Sequence, residues 1–504
     1  MNKNIIKAIV FFMLCFFIFN CNKKSDNFEL FGQNLEAKKL DQVTLTFYVW
    51  SKSHPETRNV LDEIEKKSRK ELNIKLDFKF IFDFSFYSEV KNLIENNQPC
   101  DAFVLTSMNK PRQLYLLHDQ DLILDITELF PRYAPNYYGK FNEKQLSFVT
   151  IDKKLLAIPT HYYISNRRCV LIREDLCKKY NVKSMKSYDE LEEFLNLIAI
   201  NEPDCIPLST WDTALGLFAE YFGYVIFDYE LSLVYKMDDP EMKLMAWEQT
   251  PEYRKAIQMI NRWINKGFFL KDNYYARPDM RLVASGKWAA YISSQGTIFQ
   301  FNRWIYELQK DFRYLEFPLY PDKLSMRSAE TNNGLVISKN SKNPERILMF
   351  IEWLHKNQKN YDLFMYGIKN KHYQLKDGQY FIPAGTKISK SYSERWWRNI
   401  FLDFDFDRTH IANSRIYKQD MIEHIIKNTE YPPHTGFRAN YYDVLGIANV
   451  RRMNFWKIEW EMGRGKYSDK RIDEYINSHK ESGADKLVAA AQQQLDEWKS
   501  EIKN

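Results

Sequence analysis

Between Val43 and Leu105 the apolar spacing switches from two residues to 3.6 and back, twice over, and few folds accommodate that. Val43, Leu45, Phe47 and Val49 alternate with Thr44, Thr46, Tyr48 and Trp50, as a half-buried strand requires. Val60, Leu61 and Ile64 then share one face of a helix that runs to Lys70. Ile74, Leu76, Phe78 and Phe80 alternate again, Tyr87 to Asn96 is helical, and Asp101 to Leu105 is a third strand. Strand, helix, strand, helix and strand in this order imply an α/β unit with a parallel sheet and right-handed crossovers. Ligands of such sheets bind beyond the carboxyl ends of the strands. Trp50, Thr106 and Ser107 therefore stand at the mouth of the unit, although Trp50 serves equally well as a ring that caps the core.

At 504 residues the chain is too long for one core, so a second lobe is expected. Its formal charge of +6 is nearly neutral at this size and argues against a nucleic acid partner. The 12 Trp, 32 Tyr and 35 Phe are enough to fill large cores and still leave rings for a cleft. Ser187 to Ala199 reads as a helix with Leu191, Phe194, Leu195 and Ile198 on one side, and Trp211 sits just past a short strand at Ile206 to Leu208. Thr250-Pro251-Glu252 opens another helix. The polar turn Ala329 to Gly334, which holds Asn332, precedes a buried strand at Leu335 to Ile337. Asn343 is placed to cap the following helix, with Pro344 first in it and Ile347, Phe350, Ile351 and Leu354 on one face. A final amphipathic helix, Ala484 to Lys499, turns Leu487, Val488, Ala491 and Leu495 inward.

Asp403, Asp405 and Asp407 suggest calcium at first sight. An EF-hand loop needs Gly at its sixth position and Glu at its twelfth, and these are Arg408 and Ser414. The carboxylates are expected to form a solvated acidic face, with Phe404 and Phe406 packing, while Trp396 and Trp397 are better placed to meet a ligand. Neither a phosphate-binding Gly-x-x-x-x-Gly-Lys loop nor a Gly-x-Ser-x-Gly or His-Glu-x-x-His motif is present, so no catalysis, metal or cofactor is expected. Cys100, Cys169, Cys177 and Cys205 have no Cys-x-x-Cys spacing, and either a disulfide or buried free thiols fit them.

Lys3 and Lys7 precede an apolar run from Ala8 to Phe19, which reads as a secretory signal over residues 1–20. Ile18-Phe19-Asn20-Cys21 resembles a lipobox, in part, which makes Cys21 the expected lipidation site and residues 21–40 a polar tether. The mature protein would then be anchored to a cell membrane by lipid, facing the periplasm or the outside.

Several segments together resemble the extracellular solute-binding proteins of ABC importers. They are Lys342-Asn343-Pro344-Glu345-Arg346 after its strand, Lys154 to Pro159, Val170 to Leu176 followed by Lys178-Lys179-Tyr180, and Ser285 to Tyr291. More narrowly, Tyr366 to Tyr373 is similar to the Gly-x-x-Gly-x-His-Tyr motif of LipO-like lipoproteins, with Asn370 at the second Gly, and Tyr431 to Phe437 resembles their Pro-x-x-Gly-Phe turn. The resemblance implies a two-lobe α/β architecture, the periplasmic-binding-protein type II fold. Lobe one would hold residues 41–158 and 330–373, and lobe two residues 159–329 and 374–504. It also implies that Gln295 ends a strand near the cleft, and that Tyr162, just after the first crossing, faces the ligand or packs in the hinge. The implied function is delivery of a carbohydrate, an oligosaccharide by preference, to ABC permease subunits by a monomeric binding protein. An oligopeptide-binding protein, a surface glycoside hydrolase and an adhesin-like lipoprotein are the alternatives.

Overall fold

The computed structural model describes residues 40–503 except 84, 106–111, 163–164, 166, 270–279, 328–333, 384–385, 387–391, 393–395, 438 and 463–467. The opening alternation folds as its periods predict. Strand β1 (Val43–Trp50), helix α1 (Thr57–Ser68), strand β2 (Ile74–Ile81), helix α2 (Phe86–Glu95) and strand β3 (Ala102–Leu105) follow one another, and β1 lies parallel to both β2 and β3. Leu45, Phe47 and Val49 are fully buried, as alternation across a packed face requires. Strand β4 (Ile158–Pro159) also belongs to this sheet.

The chain then builds a second sheet from β5 (Arg168–Arg173), β6 (Ile206–Thr210), β7 (Trp288–Ser294) with helix α3 (Thr297–Glu307), and β8 (Tyr314–Pro318), in the order β8-β5-β7-β6. Strand β7 runs parallel to β6 and antiparallel to β5. The chain next returns to the first sheet as β9 (Gly334–Ile337), which inserts antiparallel between β3 and β4 and leads into α4 (Pro344–Leu354) and α5 (Gln358–Tyr366). Asn343 holds the N-cap position of α4, but its side chain makes no capping bond. A helix α6 (Arg415–Asn428) follows, and the last helix, Ala484–Lys503, packs Leu487, Ala491 and Leu495 into a core shared with Leu233 and Tyr235.

The core of the first sheet extends past Tyr373, the boundary expected from the sequence, to take in Tyr380, Tyr392, Ile400 and Phe401. Hydrogen bonds hold this extension in place: Tyr392 Oη donates to the Phe364 carbonyl at 2.6 Å, and a ring nitrogen of His355 meets the Phe401 carbonyl at 3.2 Å. Cys100, Cys169, Cys177 and Cys205 are all free thiols, the first three buried.

The turn at Tyr366 to Tyr373 shows why its residue types matter. Gly367 has φ +85° and ψ −154°, a conformation essentially confined to glycine. Asn370 has φ +66°, in the left-handed region that Asn tolerates better than other side chains. His372 Nδ1 accepts from the Ile368 N–H at 2.9 Å, which closes the turn. A Cβ on Gly367 would lie 2.5 Å from His372 Nδ1 and 2.8 Å from Tyr392. Gly367→Ala is expected to destabilise the protein by about 2–3 kcal/mol, from backbone strain together with that clash. Urea unfolding would check this, and a loss under about 0.5 kcal/mol would mean that the turn relaxes freely.

Candidate ligand-binding cleft

Strand register aligns one edge of each sheet into a row. In the first sheet Trp50 pairs with Ile81, Gly334 pairs with Leu105 and with Pro159, and these positions form one end of the sheet. Trp50 and Leu105 are at carboxyl ends, where ligands bind in α/β sheets. Trp50 packs partly against the core, and its indole N–H donates to the Asp83 carbonyl at 3.0 Å. Its ring lies 4.9 Å from that of Phe82, which is 54% exposed. The exposed Lys52 holds its ammonium 5.3 Å from the centre of the Phe82 ring. The result is an aromatic ledge at the mouth of the first lobe. Thr106, Ser107 and Asn332, expected beside it, lie outside the described residues.

In the second sheet Ser294 pairs with Arg168, Pro318 pairs with Cys169, and Ile292 with Thr210, so Arg168, Trp211 and Gln295 share one edge. Trp211 packs partly buried against the cluster of Phe301, Ile298 and Tyr291. Beside it Arg168 Nη2 meets Asp212 Oδ1 at 3.0 Å. Burial pushes the Asp212 carboxyl up, and the charge of Arg168 opposes the push. Gln295 is partly buried, and its backbone N–H donates to the Arg167 carbonyl at 3.1 Å. Next to Gln295, the N-terminus of α3 is filled by Glu316. The Gly296 N–H lies 3.0 Å from both oxygens of that carboxyl, and Tyr417 Oη donates to one of them at 2.6 Å. Burial pushes the Glu316 carboxyl up to about 7, against the lowering effect of those donors.

Three segments join the two edges, and they are bonded to one another. His161 pairs with Asp403 and accepts at its carbonyl from the Phe404 N–H at 3.0 Å. Ser165 pairs with Arg327, whose N–H donates to the Glu430 carbonyl at 2.7 Å. Tyr162 sets its ring 5.8 Å from that of Phe404. The side chains of Trp396 and Trp397 lie outside the described residues.

Asp403 corrects the expectation of a solvated acidic face. Its side chain is 0% exposed, because it bonds two groups of the protein: Lys140 Nζ at 2.7 Å and His161 Nδ1 at 2.9 Å. Burial alone would raise this carboxyl, and the bonds from His161 and Lys140 outweigh burial and hold it at about 2. His161, Asp403 and Asp405 bring potential ligand atoms within 4.8 Å of one another. The Lys140 ammonium, 2.7 Å from both Asp403 and Asp405, already supplies positive charge there, so these residues do not fit a metal ion. Asp407 is likewise paired, with Lys418 Nζ at 3.0 Å.

The model of the bacterial extracellular solute-binding protein family matches residues 54–360. The chain belongs to that family. A carbohydrate ABC transporter substrate-binding protein of Streptococcus pneumoniae is 20% identical over 390 residues, covering 74% of this chain and 75% of the relative. The crystal structure of the N-glycan transport solute binding protein NgtS, also from S. pneumoniae, superposes with a TM-score of 0.71 at 16% identity, over 90% of this chain and 98% of that one. Maltose-bound MalE3 of T. maritima superposes with a TM-score of 0.53 at 13% identity, over 87% of this chain and 99% of that one. This solute-binding protein has their fold, the type II periplasmic-binding fold.

The two rows of strand ends are the candidate walls of a ligand cleft, and the bonded segments between them its candidate hinge. Sequence reasoning missed Phe82, Arg168, Asp212, Glu316 and Lys140. Phe82 had a signal, since it stands one step past the period-two run of β2 as Trp50 ends that of β1. Asp212 adjoins Trp211. Arg168, Glu316 and Lys140 had none, because their roles depend on partners 44, 20 and 263 residues away in sequence.

Proposed function

We propose that this solute-binding protein takes up a carbohydrate between its lobes and hands it to the permease of an ABC importer. The observation that carries the reading is that each sheet sets aromatic rings at its strand ends, Trp50 with Phe82 on one and Trp211 beside the Arg168–Asp212 pair on the other. Sugar rings offer C–H faces to aromatic side chains and hydroxyls to paired donors and acceptors. The names of the relatives support it: NgtS has been crystallised with Man5GlcNAc, and FusA, an ABC-transporter substrate binding protein of S. pneumoniae, with kestose. We read Cys21 as the lipid anchor that holds the protein at the membrane, working as a monomer, and we read no catalysis in this chain. The left-handed Asn370 beside Gly367 favours the LipO-like branch.

The soluble form starting at Asn22 would be screened against oligosaccharides by thermal shift, then titrated by calorimetry. A bound ligand raises the melting temperature by mass action. Trp50→Ala and Trp211→Ala are each expected to weaken binding about tenfold or more while the unliganded protein melts within a few degrees of wild type. A cooperatively melting protein that responds to short peptides and to no sugar would overturn the reading.

A further inference from the structure

Arg168, Arg167, Lys140 and the start of α3 each already have partners within the protein. Arg168 faces Asp212 at 3.0 Å. Arg167, fully buried, spends its guanidinium on the carbonyls of Tyr320 at 2.7 Å and Lys323 at 2.8 Å. Lys140 is held between Asp403 and Asp405. The N-terminus of α3, whose free N–H groups would suit an incoming anion, is occupied by the protein's own Glu316.

We propose that the ligand selected here is an uncharged oligosaccharide, and that sugars carrying carboxylate, sulfate or phosphate groups are rejected. This rests on the carbohydrate reading and deepens it. An anionic sugar laid against the second lobe would lose water beside Glu316 and Asp212, and no unpaired cation among those just described receives it. Neutral hydroxyls both donate and accept, so the Arg168–Asp212 pair and the Gln295 amide match them without any uncompensated charge. Lys52 lies at the end of the first sheet, its ammonium 5.3 Å from the centre of the Phe82 ring. It is exposed and solvated, where a single charge attracts weakly and is screened by salt.

Calorimetry decides the point on the soluble form at pH 7.5 in physiological salt. One panel holds neutral tetrasaccharides of the gluco, manno, fructo and N-acetylglucosamine series. The other holds tetramers of galacturonate and mannuronate and a sulfated galactan of the same length. The best neutral sugar is expected to bind at least about tenfold tighter than any acidic one. Asp212→Asn, which keeps the shape and uncovers the charge of Arg168, is expected to narrow that gap about tenfold. An acidic series that binds as tightly as the neutral ones, or tighter, overturns the inference and leaves the carbohydrate reading standing. Absence of binding by both panels overturns the carbohydrate reading and this inference with it.

Discussion

Asp403→Ala is expected to lower the stability of the protein by about 3–5 kcal/mol, the usual cost of removing one partner from a buried ion pair. The truncation leaves Lys140 and His161 facing an empty space where a fully buried carboxylate had bonded both. It also frees the Asp405 N–H, which donates to Asp403 at 3.1 Å. Asp405→Ala is the control: that side chain is 58% exposed, and its loss should cost well under about 1 kcal/mol. Urea unfolding of the two variants measures both. A loss below about 1 kcal/mol for Asp403→Ala would mean that water solvates the cluster and that it does not brace the hinge. The sign of the pH effect follows from the lowered pKa. The Asp403 contribution is present above its ordinary value of 3.8 and is lost as pH falls toward about 2.

Glu316 carries the opposite sign. Its carboxyl has an ordinary value of 4.5 and stands near 7 in the folded protein, so folding favours the protonated form. The associated stability is fully present below pH 4.5 and is lost as pH rises through 7, by about 3 kcal/mol when complete. Glu316→Gln removes the charge and keeps a carbonyl that can accept from Gly296 and Tyr417. The variant is expected to be more stable than wild type at pH 8.5, by up to that amount, and to lack the decline between pH 5 and 8.5. Unfolding midpoints across this range test it. An identical decline in both proteins would place the titrating group elsewhere.

These two residues illustrate what the local pattern carried. Asp403 and Glu316 look alike in sequence, each an acidic residue amid aromatic ones. One is held ionised and the other is pushed toward neutrality, because the bonds from Lys140 and His161 outweigh burial at Asp403 while the backbone N–H groups and tyrosine at Glu316 do not.

The sequence by itself determined the periods of β1 and β2, the helices between them, and the helix starts at Ser187 and Thr250, whose side chains accept from the Glu190 and Tyr253 N–H groups in the structure. These depend on residues within one or two turns of each other, where side-chain alternation and capping act directly. It also placed Trp50 and Trp211 at strand ends, since a strand's end is a local event, and the family resemblance placed Gln295 at another. Only the tertiary structure decided that β9 enters between β3 and β4, that Asp212 answers Arg168, that Glu316 fills the start of α3, and that Lys140 neutralises Asp403. The physical reason is that hydrophobic patterning reports which face a residue turns inward and carries no address for its partner, and an ion pair between residues 44 or 263 apart in sequence exists only once the fold has brought them together.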